Sequence, residues 1–132
     1  GRTEAPRFVI KDAEARTIGK YADNGDVAMA AKTLPGKATS VFTGAPIGDP
    51  ARWAEIFAAA GVHCYARPGI VLRADSRLLM VHTDTSATLP IALPDTVKSV
   101  TELFSGEIIA RNCNAFTLQS QGPKTWVLEL RR

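Results

Sequence analysis

A chain of 132 residues, 45% apolar and 22% charged, has the size and balance of one compact folded domain, or of one small domain with an appendage. The formal charge of +3 is mild, and Lys and Arg are scattered among acids apart from the terminal Arg131 and Arg132, so no basic stripe with interleaved aromatics marks a nucleic-acid surface. No apolar run reaches the ~18 residues of a membrane span, and no basic segment leads into an apolar one as in a signal peptide. An opening Gly1 in place of Met is what an excised fragment or a trimmed tag would leave.

In chain order, Arg7 to Lys11 reads as a short strand ending at Asp12. Ala15 to Tyr21 and Val27 to Thr33 then flank Ala22-Asp23-Asn24-Gly25-Asp26. Asn-Gly predicts a type I′ hairpin, whose two central residues need positive φ. Leu34-Pro35-Gly36 turns the chain again into a strand over Ala38 to Thr43. Residues 7–43 therefore predict an antiparallel unit of about four strands.

A loop over Gly44 to Gly48 precedes the one predicted helix, 50–60. Asp49 suits the N-cap, and Pro50 suits the first turn, where its missing N–H costs nothing. Trp53, Ile56, Phe57 and Ala60 fall at helical spacing on one stripe, which assigns Trp53 to the core. Gly61 supplies a left-handed C-terminal cap.

Val62 to Ala66, Ile70 to Ala74, Leu78 to Thr83 and Thr88 to Leu93 follow as strands, and Pro94-Asp95 breaks the chain. Val97 to Leu130 then alternates apolar and polar residues in short segments. Ser105-Gly106, Asn112-Cys113-Asn114 and Gln121-Gly122-Pro123 punctuate them, as in an antiparallel meander. The fold class is α+β, mainly β: antiparallel strands, one central helix and a C-terminal β-meander or sandwich. The softest boundary lies near 83–87. It separates a helix-containing unit, 1–83, from a β unit, 84–132, the two packed as one compact domain.

Chemistry-bearing residues are sparse. Asp23-Asn24-Gly25-Asp26 looks like a calcium loop but lacks the further ligands and distal Glu, and turn chemistry accounts for it. His63 and Cys64 are adjacent, so on a strand they project to opposite faces, whereas His63 and Tyr65 share one. His63, His82, Cys64 and Cys113 have no spacing that asks for zinc, and neither cysteine sits in a nucleophile's signature turn. The two cysteines either pair, if their strands are neighbours, or are small buried side chains. Glu55, Glu102, Glu107 and Glu129 read as solvent-facing, with nothing to pair them for glycoside chemistry. Trp126 alternates with Leu128 and Leu130, which favours the buried face over a sugar-stacking platform. No catalytic, metal or cofactor site is predicted; His63, Tyr65, His82 and Trp126 are the candidates for a ligand or interface.

A resemblance adds context. Ser40-Val41-Phe42-Thr43-Gly44-Ala45-Pro46, a helix, and then Ala60-Gly61-Val62-His63-Cys64-Tyr65 resemble the end of the amidotransferase-like trimerisation domain of bacterial β-galactosidase-type glycoside hydrolases. There S-V-Y-x-G-x-P leads through a helix into A-G-V-H-x-Y. Ile70 to Leu72, Leu78 to His82 and Thr88 to Pro94 are similar to the strands that follow. Glu102-Leu103-Phe104-Ser105-Gly106-Glu107 resembles the D-x-x-T/S-G-E strand–turn of the C-terminal β-domain, with Glu102 in place of Asp. The family's catalytic carboxylates lie on a barrel with no counterpart here, so no catalytic residue carries over.

The resemblance implies a non-catalytic accessory or assembly domain that packs on its own catalytic domain or in a homo-oligomer, within a periplasmic or extracellular bacterial protein. An apolar patch from the 38–47 and 70–81 strands would face the partner. The alternatives are a carbohydrate-binding module, which needs exposed aromatics on one sheet face, and a small stand-alone hydrolase, which needs a paired acid and base.

Overall fold

The structure, a computed structural model, describes residues 7–132. Over the described residues the chain is mainly β with one short helix, as its patterning predicts. It forms two compact units that divide between Asp49 and Pro50. The boundary expected near 83–87 falls instead inside a single sheet, because the strand before it and the strand after it both pair with the last strand of the chain.

The first unit is an antiparallel sheet of β1 (Arg16–Lys20), β2 (Val27–Thr33) and β3 (Thr39–Thr43), with β2 in the centre. The strand expected at 7–11 does not form. That segment is tied to the sheet at isolated points: Ile10 N–H donates to Val27 O (3.0 Å), and the Tyr21 hydroxyl donates to Phe8 O (2.9 Å). The β1–β2 turn is not type I′ either. Tyr21 N–H donates to Asp26 O and Gly25 N–H to Tyr21 O, each at 2.9 Å, which closes a four-residue loop with Gly25 alone at positive φ, +75°. Asn24 Oδ1 accepts from Asp26 N–H and Asp23 pairs with Arg7, so the would-be calcium ligands serve the turn. Between β2 and β3, Pro35 and Gly36 occupy the centre of a turn closed by Lys37 N–H to Leu34 O, with the glycine at +86° as type II geometry requires.

The second unit begins with α1 (Pro50–Ala59). The helix ends in a Schellman motif: Val62 N–H donates to Phe57 O (2.9 Å) and Gly61 N–H to Ala58 O (3.0 Å), with Gly61 at φ +75°. Its stripe is not a core face. No residue of α1 is buried, and Trp53, expected inside, is 42% exposed with its ring stacked on Phe57 at 5.8 Å. The helical period is real; what it faces cannot be read from the period.

The sheet of this unit comprises β4 (Val71–Ala74), β5 (Leu78–Thr83), β6 (Ala87–Glu102), β7 (Ile108–Ser120) and β8 (Lys124–Arg131), in the order β4-β5-β8-β6-β7. The last three strands are antiparallel as expected, but β8 bonds to β5 and β6 and not to β7. Two expected breaks are absorbed as irregularities. Pro94-Asp95 lies within β6, where the pairing with β7 shifts register between Ala92 and Val97. On β7 the shift faces the step from Ala115 to Cys113, and Asn112, just before it, takes φ +46° inside the strand. Such a bulge bends a strand without ending it, and here it lets both halves of β6 feed one core. Leu89, Ile91 and Leu93 from one half and Val97 and Val100 from the other join Leu79, Val81, Leu118, Trp126, Leu128 and Leu130. The result is a sandwich-like packing of antiparallel strands.

Candidate functional site

Residues 62–66, expected as a strand, join no ladder. They lie against β6 where β8 does not reach: β8 pairs with β6 only from Ser99 to Glu102, leaving the earlier half of that edge open. Tyr65 O accepts from Ala92 N–H at 2.8 Å, and His63 Nε2 lies 2.8 Å from Ala92 O. A carbonyl oxygen only accepts, so Nε2 carries the proton. The His63 and Tyr65 rings meet edge to face at 4.8 Å, as expected of side chains sharing a face.

Beyond Ala92, this segment and the β6–β7 pair frame an open cleft of about 450 Å³, lined among others by Cys64, Tyr65, Arg67, Pro90, Phe116 and Thr117. Tyr65 and Phe116 are half-buried and supply the apolar wall, while Arg67 is exposed at the rim. Such a cleft can hold a ring against aromatic surface and offer one guanidinium to an acceptor. The hydrogen bonds of Cys64, in its lining, and of the neighbouring His63 go to the main chain: Cys64 Sγ to Val62 O (3.7 Å) and His63 Nε2 to Ala92 O. Both cysteines are free thiols, so the pairing left open by the sequence is not made.

The other two candidates lie elsewhere. His82, on β5, sits opposite Thr125 on β8, with Nδ1 2.8 Å from Thr125 Oγ1. This is a cross-strand pair that stabilises the sheet. Trp126 faces the core at 3% exposure, which rules out a stacking platform there. Lys124 Nζ lies 5.1 Å from the centre of its ring. The structure thus brings His63 and Tyr65 together and keeps His82 and Trp126 apart from them. Among the described residues, no group of three or more His, Cys, Asp or Glu side chains could hold a metal ion, and no helix is long and apolar enough to cross a membrane.

Of the acids read as solvent-facing, one is buried. Glu102, at the end of β6, is only 8% exposed. Its Oε2 accepts from Ser105 N–H at 2.6 Å, and Glu107 N–H donates to Ser105 Oγ at 3.2 Å. Glu102 N–H donates to Glu107 O and Gly106 N–H to Glu102 O, each at 2.8 Å. Hydrogen bonds from the Ser105 side chain and backbone hold the Glu102 carboxyl below its ordinary pKa. This braced turn carries three exposed apolar residues, Leu103, Phe104 and Ile108, and Phe104 is 81% exposed. Sequence alternation could not find it, because the face reverses at a turn and the acid is turned inward as a cap.

Comparison with protein-family models, with curated proteins and with solved structures found no match to the chain.

Proposed function

We propose that the chain is a non-catalytic accessory or assembly domain of a glycoside-hydrolase-like protein, packing on that protein's catalytic domain or on a neighbouring subunit. The observation that supports this reading is the β6–β7 tip. A turn fixed by its own hydrogen bonds presents Leu103, Phe104 and Ile108 outward. Water-facing apolar side chains on a rigid turn lose little conformational entropy when a partner covers them, which is the character of an interface anchor. The glycoside-hydrolase context comes from the sequence resemblance, in which the Ser105-Gly106-Glu107 turn takes part. A parent of that kind would act in the bacterial periplasm or outside the cell.

The reading is tested by sedimentation of the chain with the catalytic barrel of its parent supplied in trans. Association that Phe104→Asp weakens at least tenfold supports it. A native chain that neither binds the barrel nor self-associates, indistinguishable from the Phe104→Asp variant, overturns it.

The cleft at Tyr65 and Phe116 favours a second reading, a carbohydrate-binding module. Calorimetric titration with oligosaccharides tests this, with Tyr65→Ala expected to abolish any heat of binding; no heat with the native chain removes it.

A further inference from the structure

The strands β1 and β3 edge the first sheet and β4 and β7 edge the second. Three of them carry a guanidinium or ammonium group that discourages pairing with another chain: Arg16 and Lys20 on β1, Arg73 on β4, Arg111 on β7. The fourth does not. Strand β3 reads Thr-Ser-Val-Phe-Thr, and the uncharged stretch extends from Ala38 to Gly48. It is rich in β-branched and aromatic residues, has no proline within the strand, and exposes Val41 and Phe42, which project to opposite faces.

The pairing with β2 decides which backbone groups of β3 point outward. Leu34 N–H donates to Ala38 O (2.7 Å) and Gly44 N–H to Ala28 O (2.8 Å), at the two ends of an unbroken antiparallel register. Hydrogen-bonded pairs alternate along such a ladder, so Ser40 and Phe42 bond inward to β2. The N–H and C=O of Thr39, Val41 and Thr43 therefore face away from the sheet. Among the described residues nothing pairs with them.

We propose that β3 pairs with β3 of a second copy of this chain, antiparallel about a twofold axis through Val41. In that register Val41 faces Val41, and Thr39 of each copy faces Thr43 of the other. Every outward N–H and C=O of the strand then meets its complement. Threonine–threonine and β-branched pairs are favourable across antiparallel strands, and no charge meets its like because the stretch has none. An isologous contact of this sort closes on itself. Exposed apolar side chains on both faces gain partner strand beside them. The inference deepens the assembly reading and rests on it, but it uses a different surface from Phe104.

The test is analytical ultracentrifugation of the full chain with Val41→Lys and Val41→Pro variants. Proline removes the outward N–H of Val41 and leaves the bonds to β2 intact. A concentration-dependent dimer is expected, weakened at least tenfold by either substitution. Native-state amide exchange gives a second readout that needs no variant. Thr39, Val41 and Thr43 should gain protection as concentration rises, while Ser40 and Phe42 stay protected throughout. A chain monomeric up to ~1 mM, or a dimer indifferent to Val41→Lys with no alternating protection, overturns the proposal. In the latter case a dimer lost on Phe104→Asp leaves the assembly reading standing, so the two failures are separable.

Discussion

His63 and Ala92 are joined by a bond that replaces part of a missing strand. Ala92 has both main-chain groups bonded by the same short segment, its N–H by Tyr65 O and its carbonyl by His63 Nε2, each at 2.8 Å. A side chain thus completes an edge that β8 leaves open. Removing the imidazole strands a carbonyl that water can reach, so His63→Ala should cost about 0.5–1.5 kcal/mol of stability by urea unfolding, and amide exchange of residues 62–67 should quicken. Catalysis by His63 would show instead as lost turnover with unchanged stability, the outcome that contradicts a structural role.

Much of this fold is legible in the residues, and the failures share a cause. Strands β2, β3, β5 and β8 and helix α1 are announced by period and punctuation, because turn residues such as Gly36 and Gly61 act through their own backbone angles. Segments 7–11 and 62–66 have strand-like composition but no ladder, since pairing depends on a partner distant in sequence. Pro94 looks like a terminator and lies in a bulge, and Asn112 stays in regular register within β7, because a long ribbon can bend around a proline without ending. The stripe on α1 has helical period and no buried face. The cleft at Tyr65 is made by contacts distant in sequence, whereas the cap at Glu102 is local, an acid turned inward where alternation places one facing water.

Glu102 gives the acid limb of stability a definite sign. Its folded-state pKa is lowered, chiefly by the hydrogen bonds from Ser105, so the unfolded chain takes up the proton first as pH falls. The stabilising contribution is complete above the ordinary glutamate range and is lost as pH drops through the lowered value. Glu102→Gln should therefore lower the thermal midpoint at neutral pH and flatten its decline below about pH 4.5. A variant whose midpoint falls with acid as steeply as the native protein's contradicts the assignment.

The core and the hairpin tip should respond oppositely to truncation. Leu128 is fully buried among Leu79, Val81 and Trp126, so Leu128→Ala removes contacts and leaves a cavity costing about 2–5 kcal/mol. Phe104 faces water in the isolated chain, so Phe104→Ala should shift the unfolding free energy by no more than ~0.5 kcal/mol while abolishing partner binding. Denaturant titration of both variants beside a binding assay separates the two kinds of apolar residue. A large stability loss from Phe104→Ala would show that the tip is folded against the body of the chain.

The two tryptophans should be separable by light. Trp126 lies in the core and Trp53 is open on α1, so acrylamide should quench one emission component strongly, red-shifted, and leave a blue-shifted component protected. Trp53→Phe should remove the quenchable part and leave the other intact. Quenching of both populations alike would contradict the buried setting that closes off a sugar platform at Trp126.

Gly44 is required for a spatial reason, independent of turn geometry. A Cβ placed there would collide with the Phe8 carbonyl oxygen and come within 2.8 Å of the Tyr21 hydroxyl, the pair that anchors residue 8 to the sheet. Main-chain oxygen cannot swing aside as the end of a flexible side chain does, so Gly44→Ala must displace the 7–10 segment or the end of β3. The expected result is local: faster exchange at Ile10 and Gly44, whose amides bond to Val27 and Ala28, with Leu79 and Leu128 unchanged in the second unit. Exchange that quickens equally in both units would show that they unfold as one, and exchange unchanged at Ile10 would show that the collision is relieved without loss of the anchor.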